Sequence, residues 1–153
     1  MQGTDGNLYG TTAGGGDYGA GTVFKMTTNG TFTTLYMFTG GADGANPYAA
    51  LAQGTDGNFY GTTAGGGDYG AGTVFKMTTN GTLMTLYSFT GGDDGANPWT
   101  GLTQGADGNY YGTTRSGGPY FIAGTIFMIT TDGTLTTLYS FTGGDDGANP
   151  LAG

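Results

Sequence analysis

The sequence predicts an all-β protein, a β-propeller carrying three four-stranded blades in one chain. Three observations predict it. First, a unit of about 51 residues occurs three times in 153: Gln2–Thr12 (QGTDGNLYGTT) returns as Gln53–Thr63 and again as Gln104–Thr114. Self-similarity at a fixed period marks a repeat architecture, in which one unit cannot bury its apolar faces alone. Second, each unit holds short segments rich in aromatic and β-branched residues, separated by Gly, Asp and Asn clusters at fixed places. Third, no window shows helical periodicity, and 36 glycines would penalise helices heavily.

The second copy shows each element in order. Ala49 to Gln53 is a short apolar first strand, ended by the turn cluster Gly54-Thr55-Asp56-Gly57-Asn58. Asn58 to Thr63 is the second strand, rich in aromatic and Thr residues. Ala64 to Gly72 is a Gly-rich loop, and Gly72 to Thr78 (GTVFKMT) is the third strand. Asn80-Gly81 is a two-residue hairpin signal, because a type I′ turn needs positive φ at both positions. Thr82 to Thr90 is the fourth strand, and Gly91 to Pro98 leads into the next copy. Apolar groups stand on both faces of the third strand: Phe75 and Met77 on one, Val74 on the other. That pattern fits a sheet sandwiched between neighbouring sheets, whereas a one-sided sheet alternates more cleanly. A β-solenoid or a flat stacked array is the rival arrangement.

The chain reads as a single repeat domain, 1–153, with copies at approximately 1–47, 48–98 and 99–150. Residues 151–153 begin a strand expected to complete a partner's first blade, because Met1-Gln2 stands where Tyr48 to Gln53 stand in the second copy. Closed propellers have four to eight blades, so three are expected to self-associate. A two-fold homodimer would give six blades, and three chains would give nine.

The units Gln53–Thr63, Gly72–Lys76 (GTVFK) and Gly95–Pro98 (GANP) are similar to the GloVer repeat of bacterial "choice-of-anchor" tandem-repeat proteins. That resemblance covers essentially every residue and recurs three times. It implies β-propeller arrays that are secreted or anchored at the cell surface. It implies no catalytic residues. The expected role is therefore a structural or display module that assembles into a closed ring and has no catalytic activity.

The alternative is a carbohydrate-binding, lectin-like propeller. In a four-stranded blade the loop between strands two and three opens on the same side as the connection between blades. This would gather Asp17 and Tyr18, Asp68 and Tyr69, and Pro119, Tyr120 and Phe121, with Asn46, Tyr48, Asn97 and Trp99 from the connections. Aromatic faces beside Asp and Asn suit neutral glycans, and repeated sites add avidity. The competing reading is that these tyrosines pack the loops and the Asp residues cap turns.

Composition sets the remaining limits. Eleven acidic residues, all Asp, against three basic ones give a net charge of −8. That sign repels phosphate backbones and anionic bilayers, and no apolar run is long enough to span a membrane, so neither nucleic acid nor membrane insertion is expected. His, Cys and Glu are absent, which removes the usual nucleophile–base pairs and zinc ligands. The Asp-Gly-Asn motifs at 5–7, 56–58 and 107–109 have the form of turns, with Gly supplying positive φ. No cofactor and no metal are expected. Lys25 and Lys76 are replaced by Met128 in the third copy, which points to a lysine stem lying along apolar surface.

Overall fold

The computed structural model describes residues 1–120 and 122–151. All regular structure among these residues is β. In chain order the strands are β1 (Leu8–Thr12), β2 (Thr22–Met26), β3 (Phe32–Met37), β4 (Ala52–Gln53), β5 (Phe59–Thr63), β6 (Thr73–Met77), β7 (Leu83–Ser88), β8 (Thr103–Gln104), β9 (Tyr110–Thr114), β10 (Thr125–Ile129) and β11 (Leu135–Ser140). They form three antiparallel sheets of consecutive strands, β1-β2-β3, β4 to β7 and β8 to β11. Each copy of the repeat makes one sheet, as its turn chemistry dictates. Gly6, Gly57 and Gly108 supply φ of 79°, 79° and 83° in the Asp-Gly-Asn turns. Side-chain oxygens of Asn29, Asn80 and Asp132 accept from Thr27, Thr78 and Thr130 and so close the hairpins.

Two expectations need correction. The first strand of each copy is shorter than its apolar run suggested. Only Ala52–Gln53 and Thr103–Gln104 pair with their neighbours, because Asn46-Pro47 and Asn97-Pro98 turn the chain between sheets. Nor does the first copy lack this element. The Met1 amine donates to Tyr9 O and the Tyr9 N–H donates to Met1 O, both at 2.9 Å, and Gln2 bridges Leu8. Met1-Gln2 thus stands in the register of Ala52-Gln53. Ala152 and Gly153, assigned from sequence to a completing strand, lie outside the described residues, as does Phe121.

Successive sheets pack face to face through two equivalent cores. Tyr9, Val23 and Phe38 of the first sheet meet Phe59, Phe75 and Met77 of the second. Tyr60, Val74 and Phe89 on the opposite face of the second sheet meet Tyr110, Phe127 and Ile129 of the third. The second sheet is therefore apolar on both faces, with Val74 and Phe75 each fully buried on opposite sides of β6. Aromatic rings lock both joints: Phe38 on Phe75 and Phe89 on Phe127 meet edge to face at 5.3 and 5.2 Å.

Polar latches repeat at the same joints. Gln53 Oε1 accepts from the Thr4 N–H at 2.8 Å, and Gln104 Oε1 from the Thr55 N–H at 3.1 Å. Gly67 N–H donates to Gly41 O and Gly118 N–H to Gly92 O, each at 2.8 Å. Ala45 exchanges both backbone bonds with Gly65, and Ala96 does so with Ser116.

One copy departs from the rule that buried polar atoms are bonded. Tyr110 replaces Phe59 in the equivalent core position; it is fully buried, stacks on Tyr60 at 4.1 Å, and its hydroxyl has no hydrogen-bond partner within bonding geometry among the described residues. An unpaired buried hydroxyl costs about 1–3 kcal/mol. Tyr110→Phe should therefore raise stability by about 1 kcal/mol, measured by urea unfolding. A loss of stability would show that the hydroxyl is bonded.

Candidate functional site

The sequence-predicted residues divide into three groups with different surroundings. Asn46 and Asn97 are committed to the scaffold. Both adopt left-handed backbone, φ 58° and 54°, which Asn tolerates better than most residues. Asn46 Nδ2 donates to Ala13 O and Asn97 Nδ2 to Ala64 O, each at 2.8 Å, tying each connection to the loop of the preceding sheet. Asn97 Oδ1 also accepts from Ser116 Oγ at 2.8 Å. These amides are occupied by protein.

Tyr48 and Trp99 form a second group. They hold equivalent positions at the start of successive copies, both are exposed, and their rings lie 5.4 Å apart. The Arg115 guanidinium covers the Trp99 ring at 4.2 Å.

The third group is the loop tyrosines with their neighbouring aspartates. Tyr18 and Tyr69 are each 66% exposed and Tyr120 is 55% exposed, so they do not pack their loops as core. Asp17 and Asp68 are exposed, and neither carboxylate makes a hydrogen bond or ion pair among the described residues. Asp68 and Tyr69 enter a cleft of about 550 Å³ between the first and second sheets, together with Tyr36, Asp43, Tyr87 and Ser88. Tyr36 and Tyr87 pack against the cores between sheets. They are half-buried, and each also presents a wall to this cleft. No other candidate lines it.

The cleft's framework is a repeated acceptor. Asp43 takes the Tyr36 hydroxyl at 3.1 Å and the Thr39 N–H at 2.8 Å. Asp94 does the same for Tyr87 and Thr90, and Asp146 for Tyr139 and Thr142. Thr142, through its hydroxyl and N–H, holds the Asp146 carboxyl down at about 2. Burial, then the nearby Asp43 charge, pushes the Tyr36 phenol up to about 12; burial and the bond to Asp94 do the same for Tyr87. A phenol with a raised folded pKa favours the fold while neutral. That contribution is complete below pH 10, near the unfolded value, and is lost as pH rises through about 12. Melting temperature should therefore fall between pH 10 and 12, and less steeply in Tyr87→Phe. A flat profile through pH 12 would contradict this.

On the Asp-Gly-Asn side, Asp5 accepts from Tyr9 at 2.8 Å, Asn7 at 2.7 Å and Lys25 at 3.0 Å. The Asn7 amide and then the Lys25 ammonium hold its carboxyl far below the usual range. Asp56 is held low by Lys76 and Asn58 against the opposing effect of burial. Each lysine ammonium lies 5.4 Å from the centre of a tyrosine ring, Lys25 over Tyr9 and Lys76 over Tyr60. Among the described residues no three acidic side chains gather to share a metal ion.

The two end faces of the stack are the other unusual surface. Leu8, Phe24 and Met26 of the first sheet occupy the positions of the buried Phe59, Phe75 and Met77, yet none of the three is buried and Leu8 is 37% exposed. Tyr111, Ile126 and Phe141 of the third sheet occupy the positions of Tyr9, Val23 and Phe38, and are likewise only partly covered.

The chain matches the family described as the Gloeobacter/Verrucomicrobia repeat over residues 1–153. The comparison with curated proteins finds no match.

Proposed function

The chain belongs to the Gloeobacter/Verrucomicrobia repeat family along its whole length, and from that premise we propose that it is a non-catalytic structural repeat module that joins head to tail with a second copy. The three sheets act as propeller blades, and two chains close a six-bladed ring. Display on a bacterial surface or in a secreted protein is the setting the proposal assigns to it.

The observation that carries this is complementarity between the two ends. The open face of the first sheet repeats the residues that already pack against Tyr60's counterpart at the internal joints. The open face of the third sheet repeats the residues that receive them. The latches match too. Gln2 Oε1 and the Ala106 N–H are unpaired among the described residues, and they are the counterparts of the Gln53–Thr4 and Gln104–Thr55 partners. The Gly16 N–H and the Gly144 O stand where Gly67 and Gly41 bond, and Gly14 and Ala148 stand where Gly65 and Ala45 bridge. One end therefore offers what the other lacks. Heterologous contacts of this kind close rings when the rotation allows and otherwise build open filaments.

A cross-link tests it cleanly, because the chain has no Cys. Residues that exchange both backbone bonds lie about 5.5 Å apart at Cα, within disulfide range. Gly14→Cys combined with Ala148→Cys should give a covalent dimer on a non-reducing gel. The control pair Ala45→Cys and Gly65→Cys should cross-link within one chain. Failure of the first pair while the control succeeds would reject the joint.

A further inference from the structure

We propose that the cleft between the first and second sheets binds a small organic cation, an alkylammonium group, between tyrosine faces and uncompensated carboxylates. Its walls are Tyr36 and Asp43 from the first copy and Asp68, Tyr69, Tyr87 and Ser88 from the second. Three tyrosines therefore line a space of about 550 Å³, a volume that accommodates a small molecule. The faces of aromatic rings are negative and attract cations.

The charge around the cleft has one sign. Asp43 is engaged with Tyr36 and Thr39, both of which donate neutral hydrogen bonds, so its charge is not cancelled. The Asp68 carboxylate is unbonded among the described residues, and only its backbone N–H is used, toward Ser88 Oγ at 3.4 Å. No basic residue lines the cleft. Lys25 and Lys76 are consumed by Asp5 and Asp56, and Arg115 covers Trp99. The free acceptors outnumber the free donors, which suits a ligand that only donates. An anion would be repelled. A neutral sugar could donate hydroxyls to the carboxylates but would gain no pairing of opposite charges. The ammonium group gains from both charge and ring faces.

The cleft lies within a single chain, so this site does not depend on head-to-tail assembly, and the two ideas fail separately. If assembly occurs, Asp17, Tyr18 and Tyr36 of one protomer would face the partner's Tyr139 and the partner's Asp146 across an equivalent cleft.

The test is a ¹H–¹⁵N NMR titration of the full chain with n-butylammonium chloride, against n-butanol and methyl glucoside at matched ionic strength. Saturable shifts of the Asp68, Tyr69 and Thr85 amides are expected with the ammonium ion alone, weakening as salt is raised. Asp68→Asn and Tyr69→Leu should each weaken binding about threefold, the worth of one such contact at an exposed site, while Tyr69→Phe retains it. A pentapeptide with one lysine among glycines and serines separates sources. Tighter binding than butylammonium assigns the ammonium to a protein side chain, and equal or weaker binding assigns it to a free amine. Shifts of the same amides by methyl glucoside but not butylammonium would overturn the proposal, as would saturation by neither.

Discussion

Gly72→Ala should destabilise the fold by about 4 kcal/mol, whereas Gly70→Ala, two residues earlier, should cost only about 1–2 kcal/mol. Both glycines have positive φ, 75° at Gly70 and 98° at Gly72. Both substitutions therefore carry the left-handed strain of an L-residue. The difference is what the new methyl would meet. At Gly70 nothing lies within 4 Å. At Gly72 the Cβ would stand 2.3 Å from Thr63 O and 2.7 Å from Pro98 Cδ. Neither neighbour is the flexible end of a side chain. One is the backbone at the end of β5, and the other is the proline that turns the chain toward the third sheet. The Gly72 carbonyl also accepts from the Phe89 N–H at 2.9 Å, so a shift here disturbs a fully buried aromatic of the second core. Urea unfolding of the two variants side by side measures the contrast. Equal costs would mean that the loop yields, and that the joint between sheets is softer than its packing indicates.

The second large effect concerns assembly. Leu8→Asp places a charge on the open face of the first sheet, and Ile126→Asp places one on the open face of the third. Each variant alone should be monomeric, because in a head-to-tail ring every contact uses both faces. Mixed together, they should regain one contact, between the intact third-sheet face of the Leu8→Asp chain and the intact first-sheet face of the Ile126→Asp chain. The mixture should therefore form a heterodimer that neither variant forms alone. Sedimentation velocity of each variant and of the mixture gives the answer. A contact between like faces predicts a different pattern: one of the two single variants would remain dimeric, and mixing would restore nothing new. Both positions lie on partly exposed faces, so the monomer should survive either change; its circular dichroism checks that.

Much of the architecture was legible because the repeat samples each position three times. Strand β6 was visible in the two-sided apolar pattern of Thr73 to Met77, and a hairpin after it in Asn80-Gly81, but only Gly81 takes positive φ, at 92°, and Thr78 bonds Thr82 and Gly81 around a longer turn than the two-residue type expected. The shortening of the first strand was not visible. Ala49 and Leu51 are buried, so an apolar run was present, but the chain crosses between sheets there instead of pairing along one. The irregular register between Val74 and Phe75, repeated at Val23/Phe24 and Ile126/Phe127, was likewise hidden, since side-chain pattern does not report ladder geometry. Gln53 and Gln104 were missed as latches across the joints, although Gln recurs at this position in all three copies. The signal was there, but a single sequence does not say whether a recurring Gln serves its own sheet or the next.

At the candidate site, the exposure of Tyr18, Tyr69 and Tyr120 was not decided by the sequence, because a tyrosine in a Gly-rich loop can pack that loop or stand in solvent. Nor was the commitment of Asn46 and Asn97 to backbone carbonyls, because Asn before Pro in a turn serves ligand and scaffold equally well on paper. Tyr36 and Tyr87 are half-buried against the cores. Their phenols reach past the core to Asp43 and Asp94, and that reach is what gives the cleft its aromatic walls.

The most direct check on head-to-tail closure is the native mass of the unmodified chain, by light scattering coupled to size exclusion across a dilution series. Closure of two half-rings predicts twice the 15.4 kDa chain mass, held constant on dilution. A single species at the mass of one chain, stable at every concentration, would contradict it.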